Sequence, residues 1–192
     1  LLEVLSGKDT IVACSSPPGR GAISIIRLSG DKALSIIQKI TKNKLKKQIS
    51  VVKFPLEKGL IEKCVLTIFR SPNSYTGEDV VEISTHGNPY IVERVINKCL
   101  DSGAKIAKPG EFTLRAYLNN KLSLDQSEAV IDIINANSKA SLKAAQNSLE
   151  GGLKAKISEI QHKLRETRVL VETLIDFIDE DVNIYIEEVI SK

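Results

Sequence analysis

The chain has no methionine and no tryptophan, and aromatic residues make up only 4% of its 192 positions. A core built from it must be aliphatic, and a hydrophobic fraction of 42% is sufficient for one. With no initiator residue, the chain is expected to be a fragment of something longer. Its three cysteines, Cys14, Cys64 and Cys99, lie far apart and form no Cys-x-x-Cys pair. They read as buried thiols of a reduced cytosolic protein, not as a disulfide framework. The two histidines, His86 and His162, offer no metal-ligand spacing. No apolar run approaches the roughly 20 residues of a membrane span, and no signal peptide precedes Asp9. Nor is there a Gly-x-x-x-x-Gly-Lys-Ser/Thr string, the loop whose backbone amides cradle nucleotide phosphates. The net charge of +3 permits a polyanionic partner without arguing for one.

What is present falls into two stretches of different character. Thr10 to Ser15 and Ala22 to Leu28 are β-rich runs joined by the Pro17-Pro18-Gly19-Arg20-Gly21 loop, a hairpin-like pair of strands. Asp31 is the expected cap of a helix running to about Ile40, with Ala33, Leu34, Ile36, Ile37 and Ile40 as its apolar stripe. Lys39, Lys42, Lys44, Lys46 and Lys47 follow as a basic stretch. Strands are expected at about Ile49 to Phe54, Leu60 to Phe69 and Val80 to Ser84. Pro89 opens a helix to about Ser102, Gly103 ends it, and Ala104 to Ala107 is a last short strand. This interleaving predicts an α+β or α/β domain over residues 1–120.

After Lys121 the pattern becomes helical. Ser123 or Leu124 starts a helix to about Asn135, and Ser138 caps a second. There Leu142, Ala145, Leu149, Leu153, Ile157, Ile160 and Leu164 recur at spacings of three and four, the period of one helix face. Unbroken to Asp176, that helix would be roughly 58 Å long at ~1.5 Å per residue. Gly151-Gly152 is the expected bend or close-packing point. Asp176 to Asp181 is acidic and ends the helix, and the tail to Lys192 is amphipathic. Residues 121–192 are therefore read as part of an all-α bundle with one very long helix.

Three side chains stand out chemically. Strand alternation puts Glu82 on the face of Val80 and Ser84, and a carboxylate in an apolar strand is costly unless paired. It reads either as a strand-end glutamate meeting water or a lysine, or as a ligand anchor whose two oxygens match two adjacent N–H donors. Arg27 ends its strand as a solvated edge arginine or as a ligand contact. Lys121 reads as an exposed lysine before a helix or as a third contact. Gly19-Arg20-Gly21 matches half of a dinucleotide fingerprint, but Ser24 and the extended run after it break the match. His86 is expected in a turn or helix entry, and Glu111 at the positive end of a helix dipole.

Several segments stand in order. They are Ser71-Pro72-Asn73-Ser74-Tyr75-Thr76-Gly77-Glu78-Asp79-Val80-Val81-Glu82 leading into His86-Gly87, then Pro109-Gly110-Glu111-Phe112-Thr113-Leu114-Arg115-Ala116, then Asn119-Asn120-Lys121-Leu122 with Gln126-Ser127-Glu128-Ala129-Val130. With the Pro17 to Gly21 loop, Ile26-Arg27-Leu28-Ser29-Gly30 and Leu149-Glu150-Gly151, they resemble the N-terminal part of the MnmE (TrmE) family, bacterial GTPases that modify the wobble uridine of certain tRNAs.

The resemblance implies a domain similar to the tetrahydrofolate-binding fold of aminomethyltransferases, which mediates homodimerisation. It implies that Arg27, Glu82 and Lys121 bind a folate, 5-formyltetrahydrofolate or methylenetetrahydrofolate, with Glu82 taking the paired donors of the pterin ring. The family's site also draws on its far C-terminus. GTP, Mg²⁺ and K⁺ belong to a G domain absent from this chain, so no catalytic or metal-binding residue is assigned here. The family works in the cytoplasm with the flavoprotein MnmG, adding an aminomethyl-type group to carbon 5 of the uridine. The alternatives are a stand-alone folate-dependent one-carbon transferase and a module that docks tRNA phosphates through the basic stretch. The chain departs from the family pattern at Asn88, where glycine is usual and left-handed geometry is tolerated, at Ser123 for aspartate, and at Ile178 for proline. The linker before the Leu60 strand is also short for the family.

Overall fold

The computed structural model describes residues 9–45 and 47–176. The acidic segment beyond Asp176, Ile178, the amphipathic tail, Lys46 and the residues before Asp9 lie outside that description. The chain divides into two units, Leu1–Ser127 and Glu128–Lys192.

The first unit is built on a mixed sheet. Its strands are β1 (Ile11–Cys14), β2 (Gly21–Ser29), β3 (Ile49–Glu57), β4 (Leu60–Phe69), β5 (Val80–Gly87) and β6 (Lys105–Ile106), in the order β3-β4-β5-β2-β1-β6. All neighbours are antiparallel except β1 and β6. The β1–β2 hairpin forms as expected, with Ile11 opposite Ser29 and Cys14 opposite Ile26. Alternation then assigns the faces. Ile26 and Leu28 of β2, Val52, Phe54 and Leu56 of β3, Cys64, Leu66 and Ile68 of β4, and Val81 and Ile83 of β5 point to one side and are buried. Helices α1 (Ala33–Thr41) and α2 (Pro89–Asp101) contribute Leu34, Ile36, Ile37, Val95 and Cys99 to the same core. Their apolar positions recur at three- and four-residue intervals, so each helix turns one stripe to the sheet.

The capping of these helices is partly as the sequence implies. Asp31 does not cap α1. The residue before the helix is Lys32, which provides no side-chain cap; its backbone N–H donates to Thr10 Oγ1 at 3.0 Å and ties the helix entry to the residue before β1. Asn88 is extended (φ −100°, ψ 123°) and not left-handed, because its side chain caps α2 by accepting from the Tyr90 N–H at 2.9 Å. A third helix, α3 (Glu111–Leu118), starts at Gly110. Cys64 and Cys99 are buried as read, whereas Cys14 is only half-buried.

Helix α4 (Leu124–Asn135) crosses from the first unit into the second. Gln126 Oε1 accepts from the Ser123 N–H at 2.9 Å, which is half of a capping box. The second unit continues with α5 (Lys139–Leu149) and α6 (Gly152–Asp176). Ser138 and Ser141 form a reciprocal capping box at the start of α5. The helical pattern from Ser138 to Asp176 breaks at the expected point, Gly151-Gly152. Gly151 adopts φ +85°, a left-handed residue that ends one helix and begins another. The longer piece, α6, has 25 residues, about 37 Å at ~1.5 Å per residue. No helix among the described residues is long and apolar enough to cross a membrane.

Candidate ligand-binding site

The face of the sheet opposite α1 and α2 carries the site. A row runs across four strands through backbone register: Ile49 opposite Thr67, Thr67 opposite Glu82, and Glu82 opposite Arg27. Cross-strand neighbours on one face touch directly, and here the contact is an ion pair. Glu82 Oε1 accepts from Arg27 Nε at 2.9 Å and from Nη2 at 2.7 Å. The side chains are 24% and 20% exposed, so the pair is neither sealed in the core nor free in solvent. One carboxylate oxygen takes both bonds. Among the described residues, Glu82 Oε2 and Arg27 Nη1 have no hydrogen-bond partner, so the pair presents an acceptor and a donor to whatever approaches the face.

Two aromatic rings hold the guanidinium. Tyr75 lies 5.3 Å and Phe112 5.6 Å from Arg27 Cζ, measured to the ring centroids. Each such contact contributes about 0.5–2 kcal/mol, depending on desolvation. Tyr75 comes from the loop before β5 and Phe112 from the first turn of α3. The Tyr75 hydroxyl and Thr113 Oγ1, 2.9 Å apart, tie these two elements together.

Beneath this surface lies a buried polar network that positions both elements. Arg115 of α3 is 4% exposed. It donates to Glu111 Oε1 at 2.9 Å, to both Glu78 oxygens at 3.1 and 3.2 Å, and to the Asp9 carbonyl at 2.7 Å. Glu78 also accepts from Ser29 Oγ at 2.6 Å, and Ser29 Oγ lies 2.6 Å from Thr76 Oγ1. Glu111 Oε2 accepts from the Lys108 N–H at 2.8 Å, closing the turn that leads into α3. The Tyr75-to-Asp79 loop, α3 and the end of β2 are thus locked through one arginine and two carboxylates.

Lys121 follows α3. Its backbone N–H donates to the Ala116 carbonyl at 2.8 Å, and its stem lies against Gly77, where an added Cβ would come within 3.2 Å of Lys121 Cγ. Asn119 Nδ2 donates to the Thr76 carbonyl at 2.7 Å. The structure therefore joins Arg27 to Glu82 directly and sets Lys121 on the loop that carries Tyr75. Among the described residues, Lys121 makes no hydrogen bond or ion pair with Arg27 or Glu82. Its head is exposed.

At the far end of β5 lies a second polar cluster. Glu62 is buried and accepts from Thr85 Oγ1 and the His86 N–H, each at 3.1 Å, while His86 Nδ1 lies 2.6 Å away. Burial pushes the Glu62 carboxyl up, but these His86 and Thr85 bonds together outweigh it and hold it below the ordinary glutamate value. His86 is thus the last but one residue of a strand, not a turn residue, and its ring stands in solvent.

The aromatic clamp and the Arg115 network were not foreseen from the sequence. Glu111 and Arg115 stand four apart on a helix, which is a pairing signal. Nothing in their spacing, however, says that the pair is buried or that Glu78 joins it.

The first unit is thus a mixed α+β domain that presents a clamped Arg–Glu pair on one sheet face, and a helical region follows it. Residues 10–121 match the family described as "GTP-binding protein TrmE N-terminus", and residues 124–192 match the "MnmE helical domain". The chain belongs to the MnmE (TrmE) family. It is 49% identical over 177 residues to the tRNA modification GTPase MnmE of Francisella philomiragia subsp. philomiragia, covering 92% of this chain and 39% of that protein. The same-named protein of Francisella tularensis subsp. novicida is 48% identical over the same shares. The chain thus spans about two fifths of the length of the curated relatives it matches.

Proposed function

We propose that this chain is the folate-binding and dimerising portion of a tRNA modification GTPase. In this reading residues 1–120 form the folate domain and 121–192 the first part of a helical domain. Arg27, Glu82 and Lys121 bind the ligand, which is 5-formyltetrahydrofolate or methylenetetrahydrofolate. The whole protein acts in the cytoplasm as a homodimer with MnmG, adding an aminomethyl-type group to carbon 5 of the wobble uridine of tRNA. GTP, Mg²⁺ and K⁺ serve a G domain outside this sequence, so the chain alone is not catalytic.

The observation that carries the ligand assignment is the Arg27–Glu82 pair. Its free acceptor and donor suit the edge of a pterin, whose ring N–H, exocyclic amine and carbonyl lie side by side. Tyr75 and Phe112 supply flat apolar surface beside that pair. The folate's contribution when bound is a one-carbon unit, and the protein's is to hold and orient it. The exposed head of Lys121 suits the acidic end of the same ligand.

Calorimetric titration with 5-formyltetrahydrofolate tests this. The wild-type chain is expected to give saturable heat, and Glu82→Ala to weaken binding by about 1.5–3 kcal/mol, the usual cost of losing a hydrogen bond to a charged group. Equal affinities would remove Glu82 from the site. Light scattering at micromolar concentration tests dimerisation, and a monomer at every concentration would contradict it.

A further inference from the structure

We infer that the region from the end of α1 through β3 is a docking surface for the phosphate backbone of a structured RNA. This rests on the reading that the protein acts on tRNA and adds to it the surface that receives the nucleic acid. From Lys32 to Leu56 the chain carries seven lysines and not one aspartate or glutamate. That segment alone is more positive than the whole chain's net charge of +3, so the rest of the molecule is net negative. The asymmetry is local, and composition alone conceals it.

The structure adds three observations. First, Lys42, Lys44, Lys47 and Lys53 are all exposed, and among the described residues none forms an ion pair. Two lysines outside the segment are paired, Lys105 with Asp9 at 2.7 Å and Lys163 with Glu159 at 3.2 Å. Second, Lys53 on β3 stands directly opposite Lys63 on β4, and both are exposed. Like charges in register destabilise a sheet, so an anion bridging them would relieve a real repulsion. Third, where the segment enters β3, Lys47, Gln48, Arg70 and Asn73 ring a cavity of about 360 Å³ floored by Leu45 and Ile68. Asp79 fixes the Arg70 guanidinium through a 3.1 Å contact with Nη1. Two amides and two cations around one cleft are the donor set that a phosphodiester and its sugar require.

From its start at Ile49 to Lys53, β3 spans roughly 13 Å at ~3.3 Å per residue, and Lys47 lies two residues before it. A small anion would occupy the cleft alone. A surface extending along the strand fits a linear polyanion that meets several cations at once.

The test is fluorescence anisotropy with a labelled, unmodified tRNA transcript, titrated at several salt concentrations. Wild type is expected to bind, with log K falling linearly against log salt by roughly 0.7–0.9 for each phosphate neutralised. The variant Lys42→Gln/Lys44→Gln/Lys47→Gln is expected to bind roughly tenfold more weakly at moderate salt and to flatten that slope by about 2, as loss of three phosphate contacts requires. A control with the same charge change on the helices, Lys143→Gln/Lys156→Gln/Lys163→Gln, is expected to stay within about twofold of wild type. All substituted side chains of the first variant are exposed, and Lys53→Gln/Lys63→Gln provides a second variant at which relief of repulsion favours folding.

Equal losses in variant and control would overturn the inference, because only net charge would matter. So would unchanged binding in both lysine variants, or absence of tRNA binding at low salt. Lysine-dependent binding to vesicles containing phosphatidylserine, without binding to tRNA, would overturn it in favour of a membrane. The folate titration separates this inference from the reading beneath it: saturable folate heat with no lysine effect on tRNA defeats the surface alone.

Discussion

In the unit up to Ser127, apolar residues alternate along strands and their inward set is sealed. Val12, Ile26, Leu28, Phe54 and Leu66 have essentially no exposed surface. In the unit from Glu128 the same residue types recur at helical spacing, yet Ile157 is 44% exposed, Ile160 59% and Leu164 63%. Among the described residues there, only Ala129 and Ala145 are buried apolar side chains. The difference is physical. A strand in a sheet receives its core from neighbours that the same chain supplies within a few tens of residues. A helix stripe identifies the face to be covered and says nothing of what covers it.

The sharpest way to break the comparison is to attack the buried polar network of the first unit. Arg115→Ala leaves Glu78 and Glu111 without their shared cation and is expected to cost about 3–5 kcal/mol, as removal of one partner from a buried pair does. Urea denaturation measures it, and a loss below about 1 kcal/mol would show that water replaces the arginine. Arg115→Lys keeps the charge but not the fork that reaches two carboxylates, so it is expected to cost less than Arg115→Ala without restoring wild-type stability.

Two glycines sharpen it next. At Gly30, φ is +131° and an added Cβ would lie 2.7 Å from Thr10 Oγ1 and 2.8 Å from Thr10 Cα. Gly30→Ala therefore combines strain with a backbone clash and is expected to cost about 2–5 kcal/mol. At Gly151, φ is +85° but nothing lies within 4 Å of an added Cβ. Gly151→Ala is expected to cost about 1–2 kcal/mol, the left-handed penalty alone. Equal losses on denaturation would mean that the helical unit is packed as tightly as the sheet.

Acid gives a smaller effect confined to the first unit. The Glu62 carboxyl is held below its ordinary range, so it contributes stability that is fully present above about pH 4.5 and is lost as pH falls through the lower folded value. Glu62→Gln should flatten the acid limb of a stability–pH curve, and a curve parallel to wild type would exclude this contribution. The smallest effect is chemical. Burial pushes the Cys64 and Cys99 thiols up to about 12, with the Glu62 charge adding to it at Cys64. Iodoacetamide at pH 8 is expected to label half-buried Cys14 and spare the other two until the chain unfolds. Labelling of all three in the folded chain would contradict the burial.

Local pattern made much of this molecule legible. Strand alternation predicts the inward set of β2 to β5, Pro89 and Gly103 bracket α2, and Gly151 marks the break in the helical stretch. The misreadings share a cause. Asp31 is a good cap by type, but the helix begins one residue later, after Lys32, and the Ala33 N–H is taken by the Gly30 carbonyl. His86 is expected in a turn by its Gly87-Asn88 neighbours, but pairing with β2 extends β5 through Gly87. For the site, residue type leaves Arg27 and Glu82 open between a solvated and a ligand role, the resemblance alone singles them out, and their mutual ion pair arises from strand register. Tyr75, Phe112 and Arg115 converge only through tertiary structure, so no spacing along the chain announces them.

The central claim is that ligand chemistry resides on the sheet face of the first unit and not in the helices. Amide hydrogen exchange with and without 5-formyltetrahydrofolate tests it directly. Slowed exchange is predicted in the loop carrying Tyr75 to Glu78, in β5 around Glu82, and from Phe112 to Lys121, with α5 and α6 unchanged. Protection confined to Lys139–Asp176, or none at saturating folate, would contradict the account.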